Sequence, residues 1–235
     1  MNAAVKVLSQ VCVALALMIG ASALSHAEHV ILCGGPALKK WEGFRVPAER
    51  HDNWWANFVR ASTIRVSHIQ QKDPKAKITW IVFKPGYVTR GKEDKKPYIR
   101  WITDLAKKYK IKLVWVNTSE QAIKAINKAP RKKGEKIESF YYFGHSNCYA
   151  FMLDYGNDIM AISTQYIHIN HFDKFDKNVF AKDADCRSYG CYTGEYMTYI
   201  WKQYFGIPLW GNTKSTQYGP VSSGRLPSGG GKWVH

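Results

Sequence analysis

The 235-residue sequence predicts an α/β fold: a single three-layer α/β/α domain around a mostly parallel sheet of about six strands. Three observations lead there. Short runs of β-branched and aromatic residues alternate with longer segments whose apolar residues recur at helical spacing, the pattern of βαβ units with parallel neighbours. No internal repeat and no linker divides the chain, so residues 28–235 read as one domain. Apolar residues make up 46% and charged residues 22%, which supports a packed core and excludes a disordered or collagen-like chain.

Residues 1–27 read as a signal peptide and lie outside this domain. Lys6 gives a basic start, residues 11–23 are apolar, and Ser25-His26-Ala27 places small residues where a signal peptidase reads. The apolar run is too short to span a bilayer comfortably, Cys12 lacks a lipoprotein-type cleavage pattern, and no later segment is apolar enough to cross. An exported protein, periplasmic or secreted, is expected, starting at Glu28 and keeping Cys33, Cys148, Cys186 and Cys191. Five cysteines in the whole chain are too few for a disulfide scaffold, although an oxidising compartment would allow Cys148 to pair with another thiol.

The elements follow in order. Residues 29–32 form a short apolar strand ending at Cys33-Gly34-Gly35-Pro36, too short for a phosphate loop and suited to a tight turn. Residues 53–71 carry Trp54, Trp55, Phe58, Val59, Ile64 and Ile69 without a breaker and suit a helix capped by Asp52, with the two tryptophans in packing roles. Residues 78–83 (ITWIVF) form a strand that stops at Pro85-Gly86, and 90–96 then fall in a loop. Residues 98–109 are helical, 113–116 a strand, and 119–127 a helix with Ser119 as cap and Ala122, Ile123 and Ile126 on one face.

Residues 139–143 form a strand ending at Gly144-His145-Ser146. Residues 149–155 alternate and meet Gly156-Asn157, which suggests a small hairpin, and 164–172 suit a helix that puts His168 and His171 on one face. Residues 185–189 lead to Gly190-Cys191, 195–204 form an amphipathic helix closed by Gly206, and 207–210 form the final strand. The Ser/Gly/Pro-rich stretch 222–231 reads as a surface loop.

In such a sheet, chemistry gathers at the carboxyl ends of the strands. His145 and Cys191 each follow a strand and a glycine, so both project from the same edge. A thiol needs a nearby base to act as a nucleophile near neutral pH, and imidazole is the usual partner. The segments SFYYFGHS (139–146) and CRSYGCYTG (186–194), with the alternating YAFMLDY after the histidine and the strand IPLWGNT (207–213), resemble the caspase-like superfamily of cysteine peptidases, which includes gingipains, legumains and CHAT-type domains. The resemblance spans residues 78–213. It implies a peptide or protein substrate, His145 as general base and acid, Cys191 as nucleophile, and the backbone N–H groups of Ser146 and Cys191 as oxyanion donors. The family usually has Gly directly after the catalytic His, where this chain has Ser146. No acid is assigned to orient His145; the nearest downstream are Asp154 and Asp158.

Other readings use the same residues. A caspase-like module that binds without cleaving needs no working dyad. Ser146 as an α/β-hydrolase nucleophile lacks the second glycine, since Cys148 stands there, and lacks the following helix. His145, Cys148, Cys186 and Cys191 form a ligand set zinc accepts, but Cys186 and Cys191 are offset to opposite faces of a strand and the deaminase Glu is absent. No cofactor or metal is therefore expected.

The formal charge is +16, and its distribution is uneven. Residues 72–136 hold 19 basic and 6 acidic side chains, a net of +13, whereas 137–235 hold 8 of each. The excess clusters at 72–77 (Lys72, Lys75, Lys77), 107–112 (Lys107, Lys108, Lys110, Lys112) and 128–136 (Lys128, Arg131, Lys132, Lys133, Lys136), each after a helix and before a strand. Those connections belong to the pole opposite the dyad, which suggests an anionic surface as partner or a solvated lysine-rich face. Nucleic acid is not expected without a binding motif. The neutral segment around His145 and Cys191 argues against an acidic substrate.

Overall fold

The computed structural model describes residues 28–47, 50, 52–130, 132, 134–156, 159–160 and 162–235. The signal-peptide reading of 1–27, and Arg131, Lys133, Asn157 and Asp158, lie outside the described residues.

Six strands run parallel: β1 (Glu28–Cys33), β2 (Lys77–Phe83), β3 (Lys112–Val116), β4 (Ile137–Phe143), β8 (Phe180–Ser188) and β9 (Leu209–Asn212). A seventh, β12 (Trp233–Val234), is antiparallel to β9 at the edge, giving the order β12-β9-β8-β4-β1-β2-β3. The direction of strand addition reverses between β1 and β4, the switch point beside which such sheets place their sites. Beyond β4 a small antiparallel sheet is built from β5 (His145–Ser146), β6 (Ala150–Met152) and β7 (Tyr166–His168).

Strand alternation produces the three layers. Val30, Leu32, Ile81, Phe83, Phe140 and Tyr142 face one core, which α5 (Ser119–Asn127) and α6 (Met197–Phe205) cover. Ile31, Cys33, Trp80, Val82, Tyr141 and Phe143 face the other, covered by α2 (Asn57–Lys72) and α4 (Tyr98–Lys108). A short α1 (Lys39–Gly43) follows β1, and α3 (Lys84–Asp94) follows β2.

Several expectations need correcting. Pro85-Gly86 does not start a loop: Pro85 sits in the first turn of α3, where its missing N–H leaves no bond unmade. Gly86 lies so close to the turn after β1 that a Cβ there would stand 2.8 Å from Gly35 Cα, so α3 can pack only because both residues lack side chains. Residues 90–94 are thus helical, and Arg90 is 1% exposed. Asp52 does not cap α2, which starts at Asn57 without a side-chain cap. The cap of α5 is Thr118, whose hydroxyl accepts the Gln121 N–H at 3.2 Å, and Ser119 is its first residue.

The segment 164–172 is β7 followed by a 3-10 turn (Ile169–Lys174), not an α-helix. His168 and His171 cap that turn: Asn170 N–H donates to His168 Nδ1 and His168 N–H to His171 Nδ1. Strand β6 pairs antiparallel with both β5 and β7, so the alternating segment after His145 does enter small antiparallel pairs. Within 222–231, Ser228–Gly229 pairs with Thr216–Gln217 as the two-stranded ladder β10–β11. Trp55 stacks on Tyr98 at 3.9 Å, whereas Trp54 is 42% exposed and belongs to no core.

The topology places the described members of the three lysine clusters at the amino ends of β2, β3 and β4, opposite the edge carrying His145 and Cys191. Lys77 pairs with Glu135 at 2.7 Å. Among the described residues no helix is long and apolar enough to cross a membrane.

Candidate active site

A cleft of about 900 Å³ opens at the carboxyl edge of the sheet and brings His145, Ser146 and Cys191 together. Three strand ends supply it. The connection after β1 contributes Arg45, Arg50, Asn53 and Trp54, the start of α2 adds Asn57 and Phe58, β4 runs into Gly144-His145-Ser146, and β8 runs into Gly190-Cys191. The segment 215–219, from the part of the chain beyond β9, closes the far wall.

His145 is 7% exposed. Its ring lies between the edge of Phe58 (centroids 5.0 Å, 89°) and Tyr155 (4.2 Å, 31°). Its Nε2 is 2.9 Å from Oδ2 of Asp52. That carboxylate also accepts the Ala37 N–H at 2.6 Å and the Asn57 amide at 3.2 Å, and it is 1% exposed. A carboxylate only accepts, so Nε2 donates to Asp52, and in the neutral imidazole the ring lone pair is then on Nδ1.

Asp52 is the acid the sequence left unassigned. Asp154 instead holds the Thr164 and Gln165 N–H groups, folding its own loop. The Asp52 segment is held by Arg90, whose guanidinium donates to the carbonyls of Ala37 (2.7 Å), Asp52 (3.3 Å) and Asn53 (2.6 Å) and to the Asp94 carboxylate (2.7 Å).

The cysteine turn is fixed from both sides. Three successive carbonyls accept side-chain hydroxyls: Tyr189 from Tyr218 (2.9 Å), Gly190 from Thr216 (3.0 Å) and Cys191 from Ser146 (2.7 Å). Ser146 thus has a structural task at the position where a glycine was expected. The same contact demands Gly190, because a Cβ there would lie 2.1 Å from Ser146 Oγ. With its hydroxyl bonded to Cys191 and its backbone in β5 rather than at a strand-to-helix elbow, Ser146 has no nucleophile geometry.

Burial pushes the Cys191 thiol above its ordinary value, while the Thr216 N–H (3.4 Å from Sγ) and the Ser215 hydroxyl pull it back. The resting thiol is therefore protonated at neutral pH and needs a base to become a nucleophile.

Two backbone donors face away from internal acceptors. Hydrogen bonds alternate along an antiparallel ladder. Asn147 N–H bonds to Ala150 O (3.1 Å), so the neighbouring Ser146–Phe151 pair is a non-bonded one and the Ser146 N–H points away from β6. In the turn, the N–H groups of Tyr189, Gly190 and Tyr192 all donate within the protein, whereas that of Cys191 has no acceptor among the described residues.

The zinc ligand set does not assemble: Cys186 is fully buried on β8, and no three His, Cys, Asp or Glu side chains converge among the described residues. Cys33, Cys148, Cys186 and Cys191 are all free thiols, so Cys148 forms no disulfide with them. No family model, curated protein or solved structure matches the chain, so function must be read from the chemistry of the site.

Proposed function

We propose that the protein is an exported cysteine peptidase of the caspase-like type. The observation that carries this reading is the buried Asp52–His145 hydrogen bond, in the same cleft as a thiol at a strand end. His145 Nδ1 takes the Sγ proton of Cys191 as sulfur attacks the scissile carbonyl. The imidazolium is stabilised through Nε2 by Asp52, as in a nucleophile–base–acid triad. The N–H groups of Ser146 and Cys191 are the donors for the oxyanion. His145 then protonates the departing amine, and a water deprotonated by His145 splits the thioester, restoring the thiol.

The test is labelling by a peptidyl electrophile, mapped by mass spectrometry. Wild type should be modified at Cys191, and His145→Ala should slow the reaction about 10²–10⁴-fold. Full-rate peptide hydrolysis by both Cys191→Ala and His145→Ala overturns the assignment. The raised thiol of Cys191 favours a second reading, a caspase-like module that binds without cleaving. Wild type that never reacts with the electrophile selects it. For the lysine pole we propose an anionic surface as partner. Vesicles of anionic lipid should bind the protein, and binding that survives neutralisation of all three clusters removes this part.

A further inference from the structure

An unbroken chain of six aromatic rings lies on the surface outside the cleft. Tyr166 stacks against His171 (centroids 6.1 Å, 10°), and His171 meets His168 (6.3 Å, 66°). His168 lies against Tyr149 (6.3 Å, 27°), Tyr149 meets Tyr196 edge-on (5.4 Å, 64°), and Tyr196 meets Tyr199 (6.3 Å, 36°). Strand β7, the 3-10 turn, the β5–β6 connection and the entry to α6 each supply part of it. The four tyrosines are between 40% and 59% exposed, so the strip belongs to neither core.

Its polar groups are unspent. Nδ1 of His168 and of His171 each accepts a backbone N–H, so each neutral imidazole carries its proton on Nε2. Among the described residues neither Nε2 nor any of the four tyrosine hydroxyls has an internal hydrogen-bond partner, whereas the hydroxyls of Tyr87, Tyr98, Tyr142 and Tyr218 are all bonded within the protein. No Lys or Arg lies over any of the six rings among the described residues, although Lys40, Lys108 and Lys177 cover rings elsewhere. The strip is continuous with the cleft rim: Ser146 and Tyr192 line the cleft, and Tyr149 and Tyr196 follow closely along the chain.

We infer that this strip binds an uncharged oligosaccharide. A sugar ring presents C–H groups on its faces and hydroxyls around its rim. The negative face of an aromatic ring takes the first through dispersion and weak C–H contacts, while tyrosine hydroxyls and imidazole N–H groups take the second. A lipid surface calls for Trp, Phe or Leu with basic residues beside them, and a polyanion calls for cations along its path. The rings here are Tyr and His alone, and no cation covers them. The assignment does not rest on the peptidase reading.

The test is calorimetric titration of the protein with cellohexaose, chitohexaose and maltohexaose, each against its own monosaccharide. At least one hexasaccharide should bind about tenfold or more tighter than its monosaccharide, because several rings are engaged, and added salt should leave that affinity within about twofold. Tyr149→Ala and Tyr196→Ala should each weaken binding about five- to tenfold at unchanged melting temperature, with Tyr199→Ala as the substitute if either misfolds. Tyr149→Trp should stay within about twofold of wild type, and Tyr149→Leu, apolar but without a π face, should behave like Tyr149→Ala. Binding of no hexasaccharide overturns the inference. So does binding that survives the alanine variants, is kept by Tyr149→Leu, or is lost in salt. An uncharged Ala/Leu octapeptide that binds through Tyr149 and Tyr196 while no sugar does makes the strip a protein-docking surface instead. Ring-dependent sugar binding by a wild type that is never labelled at Cys191 upholds the strip and removes the peptidase reading.

Discussion

Replacing Asp52 by Asn keeps the side chain's shape and removes its charge. In the native site Oδ2 accepts from Ala37 N at 2.6 Å and from His145 Nε2 at 2.9 Å, while Oδ1 accepts from the Asn57 amide at 3.2 Å. An asparagine offers one acceptor oxygen and one donor amide. With its oxygen at the Oδ2 position, the new amide meets the Asn57 NH₂ unless Asn57 turns its own side chain. With the amide reversed, it meets both the Ala37 N–H and the His145 N–H. One buried donor is left opposed or one neighbour must flip, at about 1–3 kcal/mol of stability.

The larger effect falls on rate. On the proposed mechanism, the imidazolium formed as Cys191 loses its proton no longer has a carboxylate behind it, and the general-base contribution, about 10²–10⁴-fold, is at stake. At 1.36 kcal/mol per decade that is about 3–5 kcal/mol of barrier. The assay is the second-order rate of Cys191 with a peptidyl electrophile, with melting temperature recorded on the same preparation. A labelling rate within about threefold of wild type, far below the general-base range, in a variant of unchanged melting temperature refutes Asp52 as the partner of His145.

Three further outcomes are expected. Arg90→Met strips a buried cation from Asp94 and from three loop carbonyls, so stability should fall by about 3–5 kcal/mol, or roughly 6–20 °C in melting temperature, and scanning calorimetry checks it. Ser146→Ala alone should cost about 0.5–1.5 kcal/mol, but Gly190→Ala should cost markedly less when introduced into Ser146→Gly than into wild type, because both atoms it strikes, Oγ at 2.1 Å and Cβ at 2.7 Å, are then gone; an additive double-mutant cycle in urea contradicts this. Burial pushes the Cys33 thiol up to about 12, partly offset by its bond to Tyr87. The unfolded chain, with a thiol near 8.5, then releases that proton before the folded one does, so the stabilisation is complete below about pH 8.5 and is lost as pH rises toward 12. Between pH 8.5 and 10 this amounts to about 2 kcal/mol, and Cys33→Ala should flatten that part of the urea-midpoint profile.

The parallel sheet was legible because its strands are fully buried and read as apolar runs. ITWIVF, for instance, needs no partner to announce a strand, and it forms β2. His145 and Cys191 were legible for a related reason: each stands directly after such a run and a glycine. What escaped depends on distance along the chain. Asp52 looks like a helix cap from its neighbours alone, and its partner lies 93 residues away. Arg90 sits among six basic residues in 84–100 that look like one solvated group, yet it is the one enclosed by backbone carbonyls. The strand β12 is two residues long and exists only through pairing with β9, so no periodicity marks it. Pro85 shows the opposite failing, a true breaker signal that the first helical turn tolerates.

The clamp on carbonyls 189–191 has a consequence for the order in which the site is built. Asp52, His145 and Cys191 are all synthesised before Thr216 and Tyr218, yet two of the three hydroxyls that shape the cysteine turn come from those later residues. A chain that has emerged only as far as Cys191 owns its full complement of reactive groups but has no far wall and an unsecured thiol turn. The cysteine turn is therefore fully shaped only once the last segment has arrived. Removing the chain from residue 216 onward would leave that turn with one of its three hydroxyl clamps, from Ser146.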